Sequence, residues 1–99
     1  MTQPEKDRLV IAWLDKAESD LGAARALILG AERYLDGGAY HCQQAAEKSL
    51  KAILTAHDIP FPKTHNLTEL VFSCQCVDSS AQQFIEFANL LTPYATEFR

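Results

Sequence analysis

The sequence predicts an all-α, up-and-down four-helix bundle, with room for one extra short helix, and three observations carry that prediction. Two long stretches place apolar residues at helical spacing, an aromatic C-terminal stretch repeats the spacing, and no stretch alternates convincingly as a strand would. The nearest to alternation, residues 70–77, is short and fits a helix equally well. Ninety-nine residues with 47% hydrophobic and 22% charged side chains suit one compact domain, taken here as 1–99.

The first helix is expected over residues 6–29, where Val10, Leu14, Ala17, Leu21, Ala24 and Ile28 recur at alternating spacings of four and three. Pro4 suits its first turn and Gly30 its end. Asp36-Gly37-Gly38 reads as a turn, because paired glycines permit positive φ and resist helix propagation. A second long helix then runs from near Ala39 to about His57, where Asp58-Ile59-Pro60-Phe61-Pro62 stops it. Asn66 is a good N-cap for a short third helix, with Glu69 three residues on as in a capping box and with Leu67, Leu70 and Val71 facing inward. Asp78, Ser79 and Ser80 start the last helix, in which Phe84, Phe87, Ala88, Leu91, Ala95 and Phe98 follow helical spacing and Pro93 introduces a bend.

Several function classes are excluded or weakened. No apolar run approaches the ~18 residues needed to cross a bilayer, and the N-terminus lacks the order of a signal peptide, so a soluble cytoplasmic protein is expected. Three cysteines cannot close a disulfide framework. No metal site is expected: a helical Cys74-x-Cys76 would point its sulfurs to different sides. No cofactor fingerprint or P-loop is present. A net charge of -4 gives no long-range attraction to nucleic acid, so any such binding must be local.

The chemistry concentrates in residues 40–54. At about 100° per residue, Cys42, Ala46, Leu50, Ile53 and Leu54 form one face of that helix, and Tyr40, Gln44, Glu47, Lys48 and Lys51 form the other. Amide, carboxylate and ammonium groups one turn apart can grip a phosphate or a base edge. Glu47 and Lys51 also have the i to i+4 spacing of an intrahelical pair, which explains them equally well as a solvated face. Asp20 borders the first helix's apolar seam, where a carboxylate needs a donor, and Lys48 or His65 is the expected partner. His65 offers an acid, a base or a phosphate donor beside a helix start, where histidines are more often structural.

The same residues carry a resemblance. A helix with Gln44-Ala45-Ala46-Glu47-Lys48-x-Leu50-Lys51-Ala52, then a proline-bearing loop, then Thr64-His65-Asn66-Leu67, resembles the HEPN domain, a small helical module; Ala17, Asp20, Leu21 and Ala24 sit where that family has an Ala-x-x-Asp helix. The resemblance implies a dimerising four-helix domain, a homodimer in which the aromatic last helix contributes, and a minimal nucleotidyltransferase as partner in a toxin–antitoxin-type system. It also implies binding of nucleotide or RNA by Gln44, Lys48, Lys51 and His65, with Asp20 and Glu47 in support. Many such proteins look like metal-independent ribonucleases whose signature is an arginine, four to six residues and a histidine. This chain departs from that pattern, since Arg33 and His41 are separated by seven residues and Arg99 is half of an incomplete motif. A ribonuclease toxin with its histidine beyond Arg99, and a non-enzymatic helical adaptor, stand as the alternatives.

Overall fold

The computed structural model describes residues 1–95, and its four α-helices confirm the all-α bundle: α1 (Gln3–Leu29), α2 (Leu35–Ala56), α3 (Leu67–Cys74) and α4 (Ile85–Leu91). Among the described residues there is no strand, and no helix is long and apolar enough to cross a membrane. Phe98, expected on the last helix, lies outside the described residues.

Helix α1 starts at a full capping box. Thr2 Oγ1 accepts from Glu5 N at 3.2 Å and Glu5 Oε2 accepts from Thr2 N at 2.9 Å, with proline in the first turn. At 27 residues it is about 40 Å long and spans the long axis of the molecule, 45 Å. Its seam follows the expected one only in part, with Val10 and Ile28 half-buried. Ala17, Asp20 and Ala24 are buried, whereas Leu14 and Leu21 are 47% and 51% exposed. The buried positions of α1 are two alanines and one carboxylate, and its larger side chains Leu27 and Ile28 lie against the glycines of α2.

Gly37 and Gly38 account for that closeness, and here the expected turn is corrected. Helix α2 begins at Leu35 and passes through both glycines, neither of which has positive φ. A Cβ at Gly38 would lie 2.4 Å from Ile28 Cγ1, so the missing side chain is what lets α2 start against the end of α1. The left-handed residue is instead Asp58, at φ 57°, just past the end of α2. Its carboxylate pairs with Lys6 Nζ at 3.0 Å and ties that turn to the start of α1.

The opposite side of α2 meets the apolar core. Leu54, Leu67, Leu70, Val71, Cys74 and Ala88 form one buried cluster, with Ala46, Leu50, Ile59 and Phe61 packed against it. Asn66 caps α3 as expected, its Oδ1 accepting from Glu69 N at 3.2 Å, and Leu67, Leu70 and Val71 point inward. The last helix is more broken than its spacing suggests. Asp78 Oδ1 accepts from Ser80 N and Oγ and starts a 3₁₀ turn, Ser79–Phe84; α4 follows, and a second 3₁₀ turn, Thr92–Ala95, carries Pro93. Thr92 Oγ1 donates to the Ala88 carbonyl and accepts from Leu67 N, joining the end of α4 to the start of α3.

Candidate functional site

The polar stripe of α2 is not a solvated face. It is turned toward α1 and the loop before α3, and Gln44, Glu47 and Lys51 are buried, the last two at 4% and 6% exposure. A helix reading that assigns polar side chains to solvent fails here because α2 has neighbours on both sides. The groups are consumed in two clusters, each built from one carboxylate, one lysine and one histidine.

In the first cluster Asp20 stands on the α1 seam. Lys48 donates to its Oδ2, and His41 Nδ1 lies 2.8 Å from its Oδ1. Lys48 is thus one of the two partners expected for Asp20; His65 is not the other. An ionised carboxylate only accepts, so the His41 proton sits on Nδ1, and about one-third of the His41 side chain is exposed. Burial pushes the Asp20 carboxyl upward, but the hydrogen bonds and charges of Lys48 and His41 outweigh it and hold it below its ordinary value. Tyr40 stacks on the His41 ring, centroids 5.1 Å apart, and limits how the imidazole turns.

The second cluster centres on Glu47. Lys51 donates to its Oε2 at 3.1 Å, the expected i to i+4 pair, and His65 Nδ1 lies 2.7 Å from its Oε1. Gln43, fully buried, donates both to Glu47 Oε1 at 3.3 Å and to the His65 carbonyl at 3.0 Å, and Gln44 donates to Gln43 Oε1 at 2.6 Å. The loop before α3 is therefore fixed to α2 at two points, and His65 keeps half of its side chain in solvent. Burial again pushes the Glu47 carboxyl up, and the bonds from His65, Lys51 and Gln43 more than reverse it. The Lys51 ammonium also lies 5.6 Å from the Trp13 ring centre and 5.9 Å from that of Phe61, so its charge is compensated on several sides.

Of the site residues read from sequence, Asp20, Glu47, Lys48, Lys51 and His65 are joined in these clusters, and Gln44 reaches Glu47 through Gln43. Arg99 lies outside the described residues. Two residues were missed. His41 was legible as a second partner for the seam carboxylate at Asp20, since a buried acid beside one lysine still has lone pairs to satisfy. Gln43 carries no such signal, because nothing in a single helix pattern distinguishes it from Gln44. Lys51, read from the sequence as part of a solvated face or a phosphate grip, is instead a buried partner of a buried acid. Among the described residues, no group of three or more His, Cys, Asp or Glu side chains is arranged to hold a metal ion.

Chemically, each cluster presents an imidazole whose inner nitrogen is locked to a neutralised carboxylate and whose outer nitrogen accepts while the ring is neutral and donates once it is protonated. That arrangement suits contact with an anionic oxygen. No curated protein and no solved structure matches the chain. A family model described as the HEPN domain matches residues 10–99. The match spans the α1 carboxylate, the Gln-Ala-Ala-Glu helix and the Thr-His-Asn-Leu loop that meet in these clusters, and the chain belongs to the HEPN domain family.

Proposed function

We propose that this HEPN-domain protein is the nucleotide- and RNA-binding helical partner of a minimal nucleotidyltransferase, in a two-component system of the toxin–antitoxin kind, and that it works as a cytoplasmic homodimer. The observation that carries the binding function is the Glu47 cluster: a half-exposed imidazole, His65, held by a buried and hydrogen-bonded carboxylate. Such rigidity is costly to build for packing alone, since a buried ion pair rarely stabilises more than apolar side chains of the same volume. Lys48 and Lys51 support the site as counter-charges to Asp20 and Glu47, and Gln44 as the outer end of the amide chain that fixes Glu47. The ammonium groups keep each carboxylate from repelling a phosphate.

Binding is favoured over RNA cleavage by this chain because its Arg33 sits in the loop between α1 and α2 while His41 is turned to Asp20. Self-association is supported by an apolar groove of about 300 Å³ bounded by Leu50, Leu67, Val71, Phe84, Phe87 and Leu91, beside which Leu90 is exposed. Isothermal titration with ATP and with a single-stranded oligouridylate tests the binding function directly. Measurable binding by the parent, weakened about tenfold by His65→Ala in a variant whose circular dichroism melt shows it still folded at the titration temperature, is the expected result. Absence of heat for both ligands overturns it. Co-purification with a minimal nucleotidyltransferase and sedimentation as a dimer test the two associations.

A further inference from the structure

Helix α1 presents a second face that no other described segment covers. Leu14, Leu21 and Leu29 are exposed, and Glu18 and Arg25 stand on the same side, about a third of a turn round the helix from the buried line Ala17, Asp20 and Ala24. Among the described residues neither Glu18 nor Arg25 makes an ion pair, and the positions three and four residues from each carry no opposite charge. Gly22 lies between them, in the interior of a 27-residue helix, where glycine is the poorest residue short of proline. Gly38 is accounted for by the approach of Ile28, but no side chain or other segment comes within 4 Å of where a Cβ of Gly22 would be.

This face complements itself. Laid antiparallel on a second copy about a point between residues 21 and 22, Leu21 meets Gly22, Glu18 meets Arg25 and Leu14 meets Leu29, and each pair occurs twice. Large falls on small at the centre, opposite charges follow, and leucines close each end. A parallel pairing in register would set Glu18 on Glu18 and Arg25 on Arg25, which like-charge repulsion disfavours.

Helix α2 repeats the pattern on the same side of the hairpin. Leu35, Ala39, Cys42, Ala46, Ser49 and Ile53 follow one another at steps of four and three; Leu35 and Ile53 are exposed, the four between are half-buried, and none is charged. Antiparallel about residue 44, Leu35 meets Ile53, Ala39 meets Ser49 and Cys42 meets Ala46. Asp20 is bound by both His41 and Lys48, which puts it level with the midpoint of residues 41 and 48, so the centres on α1 and α2 stand at one height in the bundle to within about one residue's rise, 1.5 Å. One two-fold axis serves both helices. Ala46 and Ser49 also wall the apolar groove of Phe84 and Phe87, so the face and the groove are continuous.

We propose that this α1–α2 face is where the chain meets a second copy of itself, with Leu21 and Gly22 at the two-fold axis and two Glu18–Arg25 pairs exchanged across it. This rests on the homodimer proposed above and names its surface.

Charge exchange tests it, read by sedimentation equilibrium at low ionic strength. Glu18→Arg and Arg25→Glu each set like charges opposite one another twice per dimer and should weaken self-association about tenfold. The double variant Glu18→Arg/Arg25→Glu restores opposite pairs and should return to within about threefold of the parent. Added salt should narrow these differences. Leu21→Lys, which places two ammonium groups at the axis, should give a monomer. All three side chains are exposed in the single chain, so circular dichroism melts should show every variant folded. A parent that is monomeric at high micromolar concentration overturns both the homodimer and this face. A dimer kept by both single charge variants and by Leu21→Lys overturns the face and leaves the homodimer standing on the groove; if those variants also lose a co-purifying minimal nucleotidyltransferase, the face belongs to that partner instead. Single variants weakened with no recovery in the double variant overturn the antiparallel register.

Discussion

Helix α2 divides the molecule into two halves that are held together by different physics. On its α1 side the contact is made by Ala17, Ala24, Gly38 and Ala45, small residues that bring the helices close, and the space left is filled by Asp20, Gln43, Glu47 and Lys51 in two hydrogen-bonded clusters. On its α3 and α4 side the contact is Leu54 against Leu67, Leu70, Val71 and Ala88, with no charge inside it. Loss of a contact in the apolar half leaves a cavity into which the neighbours relax only in part, but it strands no polar group. In the polar half it does, because each group there is buried on the condition that its partner stays.

The largest expected effects set the two halves against each other. Glu47→Ala leaves the Lys51 ammonium, 6% exposed, without its carboxylate and should cost about 3–5 kcal/mol, while Leu54→Ala removes a wholly buried side chain and should cost about 2–5 kcal/mol. The magnitudes overlap, so a rescue separates them. Replacing Glu47 and Lys51 together by Leu and Met should recover part of the loss, since the ammonium is no longer stranded although Gln43 and His65 lose an acceptor; no second change at Lys51 should rescue Leu54→Ala. Urea midpoints of the four variants measure this. A double variant as unstable as Glu47→Ala means the network is held by packing rather than by paired charge.

Gly38→Ala comes next, at about 1–3 kcal/mol, because the new Cβ must displace Ile28 Cγ1 and Cδ1 from 2.4 and 2.8 Å. The substitution raises helix propensity and should nonetheless lower the melting temperature. Ile28→Val beside it should return part of the loss by making room. A melting temperature above the parent's would show that the α1–α2 approach is looser than this geometry requires.

What was readable in the sequence follows the same division. The helix count, the end of α2 before the Asp58–Pro62 loop, the Asn66 cap and the inward set Leu67, Leu70 and Val71 are all visible, because in the apolar half the chemistry of a residue and its location agree. In the polar half they disagree. Leu14 and Leu21 look like seam residues and are exposed; Lys51 and Gln44 look like surface and are buried; Gly37-Gly38 looks like a turn and lies within a helix. Amphipathic periodicity assumes one water face and one core face, and α2 has core on two sides. The acid at Asp20 was the clue that survived, since a carboxylate on a seam demands partners wherever it is placed. The last helix was misjudged for a local reason: Asp78, Ser80, Thr92 and Pro93 satisfy or remove backbone hydrogen bonds and divide one expected helix into 3₁₀, α and 3₁₀ pieces.

Acid should weaken the polar half first. Asp20 and Glu47 titrate below their ordinary values of 3.8 and 4.5 in the folded chain, despite burial, because lysine and histidine hydrogen bonds favour the charged forms. The unfolded chain therefore takes up protons before the folded one as pH falls. Their contribution is fully present above the ordinary values and is lost as pH drops below about 4.5 toward the lowered native values. Glu47→Gln should flatten the fall in urea midpoint over that window, and Leu54→Ala should lower the curve without changing its shape. Parallel curves for parent and Glu47→Gln would remove Glu47 from the account of acid sensitivity.

The smallest effect belongs to Asn66, which stands where the halves meet. Its Oδ1 caps α3, in the apolar half, and its neighbour His65 is bound to Glu47, in the polar half. Asn66→Ala should cost about 1 kcal/mol, the ordinary loss of an N-cap, which for a chain of this size is a melting shift of about 4–8 °C. Asn66→Asp should restore it, because aspartate caps as well as asparagine. If the cap does no more than start α3, RNA affinity is unchanged in both variants, since Gln43 and Glu47 still hold the carbonyl and the imidazole of His65. A several-fold loss of affinity in Asn66→Ala, recovered in Asn66→Asp, would instead mean that the start of α3 sets the position of His65 and that the apolar half reaches into the site.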